Sequence, residues 1–237
     1  LEFPVLFLGA KPSNTPSFYN FMNYADFGLG TWHPEGGMYQ VINGMVSLAK
    51  SLGVNFKTNS NVQKIAVIKN RAVGLWIDDY LIKSDIVLSG ADYAHTEKLL
   101  PTEKRQYSDS YWDKKTFAPS SLLFYVGINK IVKGVEHHTL FFDTDFDNHA
   151  KSIYDTPEWP EKPLFYTSFP SKTDNSSAPV GKEAAIFLIP LAPGIEDSKE
   201  IRKIYFDKII DRLEYLTKQE IKSDILFVES FGINDFI

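Results

Sequence analysis

The 237-residue sequence contains no cysteine. That absence removes disulfide frameworks, thiolate metal sites, cysteine nucleophiles and CxxC redox pairs, and it is compatible with a reducing compartment. Basic charge is also in short supply: 25 Lys and Arg against 30 Asp and Glu leave a formal net charge of −5. Such a chain has no general field for holding phosphate backbones, so nucleic acid is not an expected partner. No run approaches the roughly 18 apolar residues that a membrane span needs. The opening apolar stretch is broken by Glu2, Pro4 and Lys11, so any membrane contact is expected to be peripheral. No charged segment leads into an apolar core and a small-residue cleavage site. GxSxG and HExxH patterns are absent, and Gly28 and Gly30 do not complete a GxGxxG because His33 stands at the third position.

What is present is an ordinary globular balance, 43% hydrophobic and 23% charged, with an aromatic excess from 18 Phe, 12 Tyr and 4 Trp. At roughly 150 residues per domain the length predicts one core with an appendage. The aromatic share points to a cavity with large apolar walls. The chain opens Leu1-Glu2-Phe3 and closes on a strand-like run passing into a helix start, Phe231 to Ile237. Both ends read as cuts.

Met38, Val41, Ile42, Met45, Leu48, Ala49 and Leu52 recur at spacings of three and four, predicting an amphipathic helix stopped by Gly53. Strands are expected at 54–57, 62–68, 72–77 and 81–82, with turns at Asn70-Arg71 and Asp78-Asp79. The solid run Ile86-Val87-Leu88 suits a central strand covered on both faces. Further on, a short helix at 95–100 precedes strands at 121–128, 139–142, 164–169, 184–191 and 225–231. A helix through Ile201 to Leu216 takes Ser198 as its N-cap. The fold class expected is α/β with α+β character, its second region a mixed sheet with helices on one face.

Three features invite a chemical reading. His137 and His138, if in a strand, face opposite sides and cannot share a metal, so an ordinary turn or surface pair is expected. Pro34-Glu35-Gly36-Gly37 before the first helix is either a tight turn or a set of open N–H donors at a positive helix end. Ser89-Gly90-Ala91-Asp92 follows a buried run at an edge where open α/β sheets place ligands, against the plainer role of helix packing. Asn175-Ser176-Ser177 matches the glycosylation pattern, read as chance.

Thr31-Trp32-His33-Pro34-Glu35-Gly36-Gly37-Met38, then Asn43-Gly44-Met45 and Ala91-Asp92, resemble in order and spacing the bacterial-type phytoene desaturases, FAD-dependent carotenoid oxidoreductases. Phe7-Leu8-Gly9-Ala10-Lys11-Pro12, with Pro16 and Tyr19, is similar to the segment preceding that glycine pair. The resemblance implies about the middle half of such an enzyme, with the N-terminal GxGxxG and the C-terminal flavin-closing motif outside it. It implies a partial Rossmann-like FAD-binding domain at 31–104 and a substrate domain at 1–30 and 105–237. It further implies FAD contacts at Val62, Gly90 and Ala91, and substrate contacts at Trp32, Tyr39 and Gln40. The implied reaction takes hydrogen from adjacent carbons of a hydrophobic carotenoid, one as hydride to flavin, with a quinone or oxygen as final acceptor. No catalytic acid or base, and no metal, is assigned. The location implied is cytoplasmic with peripheral membrane contact, for which Phe7, Leu8, Phe18 and Phe21 are candidates. This stretch alone is not expected to retain FAD. The alternatives are a flavin amine oxidase or a folded piece without activity of its own.

Overall fold

The computed structural model describes residues 10–115 and 118–236; Phe7, Leu8 and Gly9 of the resembling segment lie outside the described residues. The class is α/β, built from helices and two antiparallel sheets. The chain divides into two compact units, 48–115 and 10–47 with 118–236 among the described residues. Short helical turns fill 12–29, and α1, Tyr39–Ser51, crosses the division. Gly53 follows α1 at φ +84°, the left-handed stop that the sequence predicts. No residue of α1 is buried, so its apolar stripe is exposed.

The smaller unit carries β1 (Val62–Ile68), β2 (Arg71–Ile77) and β3 (Tyr80–Lys83) as an antiparallel meander, followed by α2 (Tyr93–Lys98). Ile68 pairs with Arg71, leaving Lys69 and Asn70 as a two-residue loop with φ of +48° and +63°. Positive φ at both positions matches loop twist to strand twist, as a tight hairpin requires. Asp92 caps α2 by accepting from His95 N at 3.0 Å, and Ile65 N donates to Leu99 O at 2.8 Å, joining sheet to helix end.

Two expected strands do not form. Residues 54–57 join no strand, and Ile86 and Leu88 are 83% and 94% exposed rather than central. An apolar run becomes a buried strand only when neighbouring strands satisfy its backbone, and none among the described residues pairs with either segment.

The larger unit holds β4 (Ser120–Ile128), β5 (His138–Phe141), α3 (Phe146–Tyr154), β6 (Phe165–Ser168), β7 (Glu183–Leu191), α4 (Lys199–Thr217) and β8 (Ile225–Phe231). The strand order is β5-β6-β7-β4-β8, and every pairing is antiparallel, where a mixed sheet was expected. β7 and β8 flank β4, so they run in the same direction, and α4 supplies the crossover between them. Inserting β4 turns what would be a parallel pair into two antiparallel ladders. β4 and β7 pair without a register shift from Ser120↔Leu191 to Ile128↔Glu183.

Strand alternation then sorts the residues. Leu122, Phe124, Val126 and Ile128, with Ala185, Phe187, Ile189 and Leu191, form one buried face. Phe206, Ile209, Ile210 and Leu213 of α4 complete that core, with Phe124 and Phe206 rings 5.0 Å apart. Ser198 accepts from Ile201 N at 3.2 Å, the cap the sequence predicts. Helix α3 was not foreseen, because its buried set mixes Ala150 and Ile153 with polar His149 and Ser152. Asp145 caps it, and His149 ties it in by donating to Pro190 O at 2.8 Å and accepting from Leu164 N at 3.0 Å.

Candidate functional site

The loop before α1 is a closed turn. Gly37 N donates to Pro34 O at 3.0 Å, so this glycine N–H is taken up internally and not offered to a ligand. Gly36 sits third in the turn at φ +79°, a conformation that glycine tolerates without strain. A Cβ there would stand 3.2 Å from Gln40, so glycine also lets that side chain pass over the turn.

This turn and Trp32-His33 form one wall of a cleft of about 680 Å³ in the larger unit; His137, His138 and residues 173–176 form the other. The His33 and His137 rings meet edge-on at 4.8 Å, and the His137 and His138 rings stack at 4.3 Å. The two adjacent histidines were expected to face opposite sides. They do not, because β5 begins only at His138 and strand alternation does not govern His137. His137 Nδ1 is bonded to Thr173 Oγ1 at 2.6 Å, and His138 Nδ1 to the Tyr166 hydroxyl at 2.5 Å. Burial, reinforced by neighbouring imidazoles, holds both below the usual histidine range. Among the described residues no group of His, Asp or Glu is arranged to hold a metal ion.

Asp174 closes the cleft floor at 8% exposure. The hydroxyl and backbone N–H of Ser176 donate to its Oδ1 at 2.6 and 2.9 Å, which holds its carboxyl below the usual range. Its Oδ2 is buried without a hydrogen bond and stands 3.6 Å from His33 Nε2, itself buried and unbonded.

The face of the five-stranded sheet opposite α4 is open. By register it carries Leu140, Tyr166, Leu188, Ile186, Leu123, Tyr125, Phe231 and Phe227, with Glu229 as its charged member. His138 shares this face, and its bond to Tyr166 places cleft and apolar face side by side.

Of the residues nominated from the sequence, Trp32 lines the cleft, 86% exposed, and Gln40 packs over Gly36 while accepting from Asn43. Tyr39 is exposed and does not line the cleft, whose lining mixes polar side chains with the Trp32 and histidine rings. In the smaller unit Ala91 borders a hollow of about 380 Å³ together with Ser89, Val87, Ile65 and Thr96. Gly90 is exposed beside it, and Val62 lies on β1 opposite Ile77, away from its wall. The walls of the hollow are small, aliphatic and, at Tyr93, aromatic.

The sequence does not single out Asp174 or Thr173, nor the pairing of His33 with Asp174. The one available signal was His33 within the glycine motif; Asp174 is indistinguishable in sequence from any turn-forming aspartate.

Residues 1–226 match the family described as flavin containing amine oxidoreductase. The chain is 40% identical over its whole length to the carotenoid 3,4-desaturase of Haloarcula japonica, of which it covers 48%. It is 31% identical over 201 residues, 83% of the chain, to the phytoene desaturase of Fusarium fujikuroi, covering 35% of that protein. It is 29% identical over 234 residues, 95% of the chain, to a zeta-carotene-forming phytoene desaturase of Myxococcus xanthus, covering 44%. The chain thus spans at most about half the length of these relatives. An oxidoreductase structure from Methanosarcina mazei shares the fold, with a TM-score of 0.70 and 19% identity over 98% of this chain and 51% of that one. With the match running through both compact units, the chain belongs to the flavin containing amine oxidoreductase family.

Proposed function

We propose that this chain forms the central part of an FAD-dependent enzyme that desaturates a carotenoid-type polyene. The observation that carries the reading is the open sheet face: a row of Leu, Ile, Phe and Tyr side chains beside a cleft, suited to a ligand with no polar handles. Such a ligand binds by burial of apolar area, at roughly 25 cal/mol per Å². The naming of the relatives as carotenoid and phytoene desaturases supports the same substrate class.

In this reading residues 31–104 belong to the FAD-binding part, and residues 1–30 with 105–237 to the substrate part. Ala91 and Gly90 border the adenosine end of FAD, while Val62 contributes backbone; Trp32, Gln40 and Tyr39 approach the substrate. FAD, when bound, supplies the hydride acceptor, and a quinone or oxygen drains the electrons. Exposed Phe18, Phe21, Tyr24 and Phe27 form an apolar patch for peripheral contact with a membrane, from which so insoluble a substrate is drawn. No helix among the described residues is long and apolar enough to cross one.

The test is anaerobic mixing of the flavin-loaded protein carrying this chain with lipid-dispersed phytoene or a later carotene. Bleaching of the flavin by the polyene is expected. Bleaching by primary amines, with none by polyenes, would replace this reading with an amine oxidase.

A further inference from the structure

We propose that His33, oriented by Asp174, is the proton acceptor of the cleft. The inference rests on the reading that cleft and apolar sheet face together hold the polyene. Making a double bond from two adjacent C–H bonds needs two destinations. At one carbon the C–H bond breaks with its electron pair, which passes as hydride to the flavin, reducing it by two electrons. At the neighbouring carbon the C–H electron pair becomes the new π bond, and the proton left behind must form a bond to a base.

The cleft contains one imidazole whose surroundings suit that role. His33 Nε2 faces Asp174 Oδ2 at 3.6 Å, and neither atom has another partner. A buried carboxylate selects the tautomer with the proton on Nε2, leaving Nδ1 as the basic nitrogen. That Nδ1 makes no hydrogen bond among the described residues. Asp174 then stabilises the imidazolium as it forms, since the Ser176 bonds keep its carboxylate ionised. His137 and His138 each have Nδ1 engaged, by Thr173 and Tyr166, and neither faces a carboxylate that lacks another partner. The His137 ring meets His33 edge-on, and His138 stacks behind His137. The other charged group lining the cleft is Glu35, Asp26 acts on His138, and no lysine or arginine lines it among the described residues. Asp174 is thus a positioning residue and His33 the group that meets substrate.

The experiment uses the flavin-loaded protein carrying this chain, as wild type, His33→Gln, His33→Ala and Asp174→Asn. It reads polyene affinity by fluorescence quenching, the rate of anaerobic flavin reduction across pH 5–9, and the His33 tautomer by ¹⁵N NMR. His33→Gln is expected to bind polyene as wild type does while flavin reduction slows about 100-fold, the usual scale for loss of a general base. Added imidazole is expected to restore part of the rate in His33→Ala. Asp174→Asn is expected to slow flavin reduction with polyene affinity retained and to weaken the preference for a proton on Nε2 in the ¹⁵N spectrum, because the ring loses the carboxylate that orients it. Retained binding with unchanged rate and pH profile in His33→Gln would overturn the proposal and leave the proposed substrate intact. Failure of the wild type to bind or be reduced by any polyene would overturn both. If the variants do not fold, the wild-type spectrum decides: a proton on Nδ1 instead of Nε2 rules the proposal out.

Discussion

The two compact units are built on opposite terms. In the larger, a five-stranded sheet lays one face on a 19-residue helix, and Phe124, Phe165, Phe169 and Phe187 lose essentially all contact with solvent. In the smaller, three strands meet a six-residue helix, and Ile65 is the buried apolar side chain found among its described residues. That unit is joined by polar ties instead: buried Glu97 accepts from Gln106 N at 2.8 Å, Tyr107 N at 3.3 Å and Trp112 Nε1 at 3.2 Å. A short helix cannot cover a sheet face, so the same class of strand produces a core in one unit and a half-exposed meander in the other. The sheet with a core also retains a free second face, and that is where the proposed substrate surface lies.

The contrast is broken most severely at Phe124. Phe124→Ala removes a fully buried ring between β4 and α4 and is expected to cost about 3–5 kcal/mol in chemical denaturation monitored on the larger unit. A loss below about 1 kcal/mol would mean that this core is not the source of its stability.

Next comes the ion cluster that fastens the end of β8 to the start of α4. Arg202 binds Asp197 through two nitrogens, with Nε to Oδ1 at 2.6 Å, and reaches Asp235 at 2.7 Å. Arg202→Ala leaves the fully buried Asp197 side chain short of its main partner, and a loss of about 3 kcal/mol is expected. The Arg202 hydrogen bonds are the first cause of the depressed Asp197 carboxyl. Its contribution is therefore present above the unfolded value near 4 and is lost as pH falls further. Acid unfolding curves should show a shallower slope below about pH 4 in the variant; an unchanged slope would assign it to other carboxylates.

His149 sharpens the comparison at neutral pH. Burial pushes its imidazole below the usual range, and both nitrogens are committed in the neutral form. Below about pH 6.5 the unfolded chain takes up a proton that the native ring resists, so stability should decline as pH falls from about 7 to 5. His149→Ala should cost about 2 kcal/mol, through unpaired Leu164 N–H and Pro190 C=O, and should flatten this decline. Equal pH dependence in variant and wild type would place the titration elsewhere.

The smallest effect belongs to the exposed run after β3. Leu88→Ser should change stability by less than about 0.5 kcal/mol in this chain, since the side chain is almost fully in water. A larger loss would show that the run is covered in solution and that the smaller unit has more of a core than its own residues provide.

Residues close in sequence determined much of the result. The three-and-four spacing of Val41, Ile42, Met45 and Leu48 specified α1, and Gly53 its left-handed stop. Period-two stretches separated by Asn70 or by Asp78-Asp79 specified the meander, and Ser198 capped α4 as its side chain permits. These signals are local because a helical turn or a hairpin is closed by neighbours along the chain. What tertiary structure alone decided lies where partners are remote. Ile86 to Leu88 has the composition of a central strand, but composition cannot supply neighbouring strands. Helix α3 is fastened by His149 to Pro190 and Leu164, partners remote in sequence that its own nine residues do not announce. Trp32 and His33 were visible as a motif, yet the buried carboxylate facing His33 comes from the loop between β6 and β7. A site is a set of distances between side chains, and those distances exist only after the sheet has brought such loops together.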